Sequence, residues 1–303
     1  MEDIRISEKF ISLQGEGLRT GVVSYFLRVC GCNLKCPGFG LPAGAENTEI
    51  PMIIKNIDKY DRYDSLPLSK TGCDSYPSSW AQFKKFSPEM TPQAIIDDMV
   101  NICNDDLEHV DLVLTGGEPL LKPMQRKLGA LFNEYADTIN RFQTLTFETN
   151  GTQSLVDEGF LSFLNEKCRI PVVFSVSPKL ACSGEPEKRR MVPEAIASMR
   201  EVVDRLNILR HGMNKAVTYG MGCGQMYLKY VVQNEDDVIE ALQNAEKLGF
   251  RKNVDGDIYL MPVGGTFDEY MAKQREIAEL AIKYRCRFCC RVHQVVWANS
   301  WSK

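Results

Sequence analysis

The chemistry of this chain begins with Cys32 and Cys36, which stand in "FLRVCGCNLKC" with C-x3-C spacing. Thiolates so placed suit an iron–sulfur cluster, whose irons take separate cysteine ligands. A third cysteine two residues beyond Cys36 would complete the loop, but the residue that follows Pro37 and Gly38 is Phe39. The next cysteine is Cys73, in "KTGCDSYPSSW", after a spacer that covers 37–72. Loop-closure entropy grows only with the logarithm of length, so this spacer adds roughly 2–3 kcal/mol over a two-residue one. Cys32, Cys36 and Cys73 are therefore candidates to surround one cluster, with one iron left open to a small molecule. Two plainer alternatives stand beside this: three ordinary thiols, or a zinc site that recruits Cys30. The C-x-C-x3-C spacing of the latter is poor for a tetrahedral structural site.

Other chemistry-bearing residues sit where apolar runs end. Gly116 and Gly117 follow "VDLVLT"; without side chains, their backbone can approach a ligand closely. Ser175, Ser177 and Lys179 end the run "VVFSVS" and its continuation, at the carboxyl end of a strand, where α/β proteins bind ligands. For Ser177, helix capping explains the residue about as well. Arg28 is a charge inside the apolar run "VVSYFLRV", which is costly to bury unpaired. A ligand carboxylate would be a good bidentate partner, and a salt bridge within the protein is the alternative. His293 is one of three histidines, and a lone histidine is more often structural than catalytic.

These residues need strands and helices to position them. The runs 22–29, 110–115, 143–149, 172–177, 226–232 and 258–263 read as strands, most of them apolar on both faces, as in a parallel sheet covered by helices. Helical patterns lie near 92–106, 123–137, 153–166, 192–207, 235–248 and 267–284. Thr91 followed by Pro92 is a helix entry signature, and Gly249 stands where a helix end wants a left-handed residue. The alternation of strand and helix predicts an α/β fold; periodicity does not choose between a partial barrel and an open doubly wound sheet. One domain is expected over 1–303, with insertions at about 37–72 and 180–222. Loops of that length inside a domain are usually functional or disordered.

Bulk properties exclude several classes. The formal net charge of −4 leaves no basic footprint for nucleic acid. No stretch approaches the ~18 apolar residues of a spanning helix, and "MEDIRISEKF" has no apolar core of a secretory signal. A cytoplasmic location follows as the expectation, where thiols stay reduced. The eleven cysteines then read as core residues and metal ligands rather than disulfides. In "CRFCCRVH", small cysteines of a core strand are preferred to a second cluster.

The motifs "ISLQGEG", "FLRVCGCNLKC", "CDS", "LTGGEPLL", "FETNGT", "SVSPK" and "RVHQVVW" occur in that order from residue 11 to 297. This series closely resembles the 7-carboxy-7-deazaguanine synthases, radical S-adenosylmethionine (SAM) enzymes of deazapurine (queuosine-type) biosynthesis. The resemblance implies a modified (β/α)6 TIM-like partial barrel, a homodimer, and a flavodoxin-type reductant. It implies a [4Fe–4S] cluster on Cys32, Cys36 and Cys73, SAM on the open iron, and Mg2+. The implied reaction is a lyase step: 6-carboxy-5,6,7,8-tetrahydropterin loses ammonia and contracts to 7-carboxy-7-deazaguanine. Family motifs end their cluster loop in Cys-Asp-Thr; here the tripeptide is Cys73-Asp74-Ser75, so Ser75 takes the implied Mg2+ position. The resemblance assigns Gly116, Gly117, Glu118, Ser175, Ser177 and Lys179 to SAM, with Glu118 accepting from its ammonium. It assigns Gln14, Gly15, Glu16, Arg28, Thr115, Glu148 and His293 to the substrate, with Glu16, Arg28, Glu148 and His293 closest to the chemistry. A carboxylate and an amide, as at Glu16 and Gln14, suit a pterin edge of alternating donors and acceptors.

The chain departs from the family pattern at three places. Gly72 replaces an aromatic residue that packs near the SAM adenine, and Phe39 or Tyr76 stands in for it. Met261 occupies a position that is often polar. The chain continues through "ANSWSK", so no substrate role is carried to its terminus. Two other functions compete with the synthase reading: a radical SAM activating enzyme for a glycyl-radical protein, and a catalytically silent metal-binding protein.

Overall fold

The computed structural model describes residues 1–209 and 223–302. Among the described residues there are nine strands: β1 (Ile4–Leu13), β2 (Val23–Val29), β3 (Glu89–Met90), β4 (Asp111–Gly116), β5 (Leu145–Thr149), β6 (Val172–Val176), β7 (Gly224–Val232), β8 (Ile258–Pro262) and β9 (Arg287–Phe288). They form one sheet in the order β3-β1-β2-β4-β5-β6-β7-β8-β9. From β2 to β9 every pairing is parallel. At the other edge β1 runs antiparallel to both β2 and β3. The sheet is open, and six parallel strands each lead into a helical segment, so the architecture is the partial (β/α)6 barrel.

The parallel strands are apolar on both faces because both faces are covered. Leu112, Leu114, Phe147, Phe174 and Leu228 are fully buried and belong to one continuous core. Thr91 caps its helix by accepting from the Ala94 amide at 3.2 Å, and Pro92 starts the helix Pro92–Ile102. Gly249 follows the helix Glu235–Lys247 with a left-handed φ of 67°, as its position in "AEKLGF" predicts.

Three expectations are corrected. The strand β1 was not among the sequence-predicted elements; its polar residues hide a strand whose Glu8 is buried by pairing with Arg28. The helix expected from 153 begins only at Glu158 and ends in a π-helical turn, Phe163–Lys167. Gln125 Oε1 accepts from the Val156 and Asp157 amides, holding that stretch off the helix until Asp157 caps Phe160. The first insertion is more ordered than its composition implies. It contains the helix Glu49–Lys55, and Ile50, Ile53, Tyr63 and Leu66 share a second small core with Tyr76, Phe83 and Phe86. The stretch "RHGMNKAVTYGMG" of the second insertion lies outside the described residues. No helix among the described residues is long and apolar enough to cross a membrane.

Candidate active site

One pocket opens at the carboxyl ends of the parallel strands. It is lined by residues from β2, β4, β5, β6 and β7, from the loop that precedes β2, and from the chain's last helix, Val292–Trp297. Cys32, Cys36 and Cys73 all face it, as do Gln14, Gly15, Glu16, Arg28, Ser75, Thr115, Gly116, Gly117, Glu148, Ser175, Ser177, Lys179 and His293.

The split cysteine motif closes through a backbone hydrogen bond. Gly72 N donates to Phe39 O at 2.7 Å, so the insertion leaves and returns at neighbouring points. Glu49 braces the returning strand by accepting from the Lys70 and Thr71 amides. Cys73 thereby arrives beside the first two cysteines, and the three thiols are close enough to act on one another electrostatically. Burial pushes the Cys32 thiol up to about 11 and that of Cys73 to about 12, and raises Cys36 as well. Among the described residues no group of His, Cys, Asp or Glu converges on a single-ion site. A cubane differs from a single ion because each thiolate binds its own iron across a wide cluster. Three inward thiols around one recess fit that group.

The glycine turn after β4 is pressed against the cysteine loop. A Cβ on Gly116 would lie 2.2 Å from Val29 O, and one on Gly117 would lie 2.2 Å from Gly31 O. Gly116 also has a φ of 138°, in the region that favours glycine. Glu118 N donates to Gly31 O at 2.8 Å. These glycines therefore serve close packing on the loop.

Glu118, expected to meet a ligand ammonium, sits behind the pocket wall in the structure. Glu118 is fully buried and does not line the pocket. Its carboxylate accepts from Thr149 Oγ1 at 2.7 Å, Asn150 N at 2.7 Å and Leu120 N at 2.9 Å. Burial raises its carboxyl above the usual range. It staples the end of β5 to the turn after β4.

One side of the pocket is a chain of charges. Glu16 pairs with Lys229 at 2.5 Å and with Arg291 at 3.0 Å. Arg291 also pairs with Asp74 at 2.9 Å. Burial pushes the Glu16 carboxyl up, but the facing Lys229 and Arg291 overcome it and hold the group well below the ordinary carboxylate range. Arg28 pairs with Glu8 at 2.8 Å and points Nη1 at Ser75 Oγ, 3.3 Å away. The salt-bridge alternative for Arg28 is thus met, and its guanidinium still lines the pocket. Glu148 accepts from Thr115 Oγ1 at 2.9 Å and from Gln14 Nε2 at 3.3 Å. Burial first, then the neighbouring Arg291, bring the His293 imidazole down to about 4, so its ring is neutral at pH 7. A Cβ on Gly15 would lie 2.1 Å from His293 Nδ1, which explains a glycine between Gln14 and Glu16.

On the opposite side, Lys179 donates to Ser177 Oγ at 3.1 Å and sits 5.8 Å from the Phe39 ring. Phe39 lines the pocket. Tyr76 is fully buried in the second core and donates to Pro67 O at 2.6 Å. Of the two aromatic candidates for a stacking platform, only Phe39 reaches the pocket. Met261 is there too.

Lys229, Arg291 and Asp74 line the pocket and were missed as candidates, as was Glu8, which pairs with Arg28. Lys229 carries the same signal as Arg28: a lone charge in an apolar strand, "MYLKYVV". Arg291 and Asp74 flank residues that were singled out. Glu8 had no local signal, because its role depends on the pairing of β1 with β2.

No protein-family model matches the chain. Curated proteins named 7-carboxy-7-deazaguanine synthase do. The one from Halobacterium salinarum is 28% identical over 97% of this chain and 91% of its own length. That from Rhodopirellula baltica is 27% identical over 96% and 85%, and that from Hyperthermus butylicus 25% over 97% and 92%. Among solved structures, QueE from Escherichia coli covers 95% of this chain and 93% of its own with a TM-score of 0.50 at 20% identity, a likeness of fold. The resemblance carried by the motifs therefore extends over nearly the whole chain.

Proposed function

We propose that this chain, a relative of the 7-carboxy-7-deazaguanine synthases, is a radical SAM lyase that converts 6-carboxy-5,6,7,8-tetrahydropterin to 7-carboxy-7-deazaguanine and ammonia. The observation that carries the reading is the meeting of Cys32, Cys36 and Cys73 in the same pocket as Glu16, Arg28, Glu148 and His293. Agreement of the relatives over the full length supports it. The glycyl-radical and silent-metal readings have no comparable support.

When bound, the cluster and SAM would supply one-electron reductive cleavage of SAM and hydrogen abstraction from the substrate. The chain's own residues do the rest. Cys32, Cys36 and Cys73 hold three irons. The glycine turn at Gly116–Gly117, with Ser175, Ser177 and Lys179, lines the SAM side, and the Phe39 ring offers a face for the adenine. Glu16 stays ionised because Lys229 and Arg291 face it, so it accepts from the N–H donors of the pterin ring. Gln14 adds a donor and an acceptor to that edge. Glu148, held by Thr115 and Gln14, is a second fixed acceptor. Arg28 presents its guanidinium to the substrate carboxylate. Neutral His293 offers a ring nitrogen without repelling nearby Arg291. Ser75 and Asp74 supply oxygens for Mg2+: Asp74 Oδ1 accepts from Ser75 Oγ at 3.2 Å, and Arg291 holds the Asp74 carboxyl low. Serine in place of threonine keeps the oxygen but loses the methyl that restricts its rotamer. A reducing compartment, a flavodoxin-type donor and a homodimer complete the proposal.

The test is anaerobic. The protein is reconstituted with iron and sulfide, given SAM, reductant, Mg2+ and the carboxytetrahydropterin, and assayed for product by mass spectrometry. Product is expected from the parent protein, and neither bound cluster nor product from Cys73→Ala. Formation of 5′-deoxyadenosine without product would reject the substrate and keep the radical chemistry. Unchanged iron content and visible absorbance in Cys73→Ala would reject the ligand assignment.

A further inference from the structure

An uninterrupted cluster loop places its third cysteine a few residues after the second, so ligands constrain both sides of the second one. Here the chain after Cys36 runs through 37–72 before it meets Cys73, and connectivity gives Cys36 little support. Cys36 nonetheless holds a φ of 47°, a left-handed conformation that a non-glycine residue keeps only when its surroundings impose it.

The surroundings that impose it come from the second insertion. Lys35 N and Cys36 N both donate to Glu185 Oε1, at 2.5 and 2.9 Å. The Glu185 side chain is only 3% exposed, and Arg189 Nη1 lies 3.3 Å from its other oxygen. Arg189 also donates to Asn33 O. One turn earlier, Gly38 N donates to Ser183 O at 2.9 Å. A Cβ on Gly38 would lie 2.6 Å from Cys182 O, so the two segments are in backbone contact. The stretch from Ser183 to Arg189 thus grips the cysteine loop before, at and after Cys36.

We propose that Glu185, clipped by Arg189, is a positioning residue of the cluster loop and stands in for the support that an adjacent third cysteine would give Cys36. The inference rests on the cluster assignment proposed above. Glu185 differs from a ligand in one respect: it brings an uncoordinated carboxylate beside the cluster. Negative charge and hydrogen bonding near a cluster both tune its potential, and residues that orient metal ligands typically govern affinity by 10–100-fold.

The experiment uses the full chain, reconstituted, as parent, Glu185→Ala, Glu185→Gln and Arg189→Ala. The readouts are the rate of iron loss to a chelator, the reduction potential, and the electron paramagnetic resonance spectrum of the reduced protein. Glu185→Ala is expected to lose iron at least about tenfold faster than the parent. Glu185→Gln keeps an oxygen for the two amides, so it should retain iron nearly as the parent does, while its potential moves to a less negative value. Iron loss from Glu185→Ala at the parent's rate overturns the proposal, as does a potential in Glu185→Gln equal to the parent's. If Glu185→Ala does not fold, the half-exposed Arg189→Ala carries the test; faster iron loss supports the proposal and a parental rate overturns it. A parent that takes up no cluster defeats the proposed function itself, whereas a loaded parent with parent-like variants defeats this inference alone.

Discussion

His293 shows how a single residue in this pocket is tuned by what surrounds it. Burial and Arg291 push its imidazole down, Glu16 and Asp74 pull it up, Lys229 pushes it down again, and the result is about 4. In the unfolded chain the same ring titrates near the ordinary value of about 6.5. Between these values the unfolded state binds the proton and the folded state does not, so stability falls as pH drops from about 6.5 towards 4. With partial solvent access to the ring, the contribution is on the order of 2 kcal/mol. We predict that urea unfolding of the parent loses about that much more stability between pH 7 and pH 4.5 than His293→Gln does. Identical pH dependence in the two proteins would show that the ring protonates freely in the folded state. This tuning was not legible in the sequence. The motif "RVHQVVW" marked His293, but the groups that set its charge come from residues 16, 74, 229 and 291, brought together only by the fold. Arg28 was legible as a charge in an apolar strand; Lys229 carried an equal signal that its surroundings in "MYLKYVV" did not connect with a motif.

At the scale of elements, the parallel strands were legible because burial on both faces leaves unbroken apolar runs. The antiparallel strand β1 was not, because Arg5, Glu8 and Lys9 interrupt it. Each of those finds a partner only in the fold: Glu89 for Arg5, Arg28 for Glu8 and Asp98 for Lys9. The first insertion was legible as a break in the β-α rhythm and not as a packed unit. Its order depends on contacts with residues far away, including the chain's end. Trp301 donates to Leu66 O at 2.8 Å and meets the Tyr63 ring edge-on at 5.3 Å. Ser302 Oγ donates to Glu8 Oε1 at 2.8 Å, which ties the tail to the partner of Arg28. The tail therefore acts as a strap over the insertion. Trp301→Ala removes a half-buried ring and one hydrogen bond, a loss of about 1–3 kcal/mol. We predict that it accelerates amide hydrogen exchange in residues 57–66 and leaves the helix Lys122–Glu134 at the parent's rate. Uniform acceleration across both would mean that the tail supports the whole fold rather than the insertion.

At the scale of the whole molecule, the pocket is where segments that the sequence holds far apart meet. The loop at 14–16 supplies Glu16, the strand β7 supplies Lys229, and the segment before the last helix supplies Arg291. The first insertion delivers Cys73, and the second grips Cys36 through Glu185. Behind the strands lies a continuous apolar core. A ligand in the pocket would thus bridge segments whose mutual contacts are mostly polar, while the core behind stays as it is. Binding to the folded state alone stabilises it by about 2.7 kcal/mol at a hundred times the dissociation constant. We predict that saturating SAM, added anaerobically to the cluster-loaded protein, raises the melting temperature by roughly 4 °C or more. Slowed hydrogen exchange should be confined to residues 31–39, 71–76, 115–118 and 175–180. These are the segments proposed above to line the SAM side, and the helices behind the sheet should exchange as before. An unchanged melting temperature would mean that SAM does not bind this pocket. Protection centred on Glu16 and Arg291 instead would place SAM where the substrate is expected, and would exchange the two halves of the site.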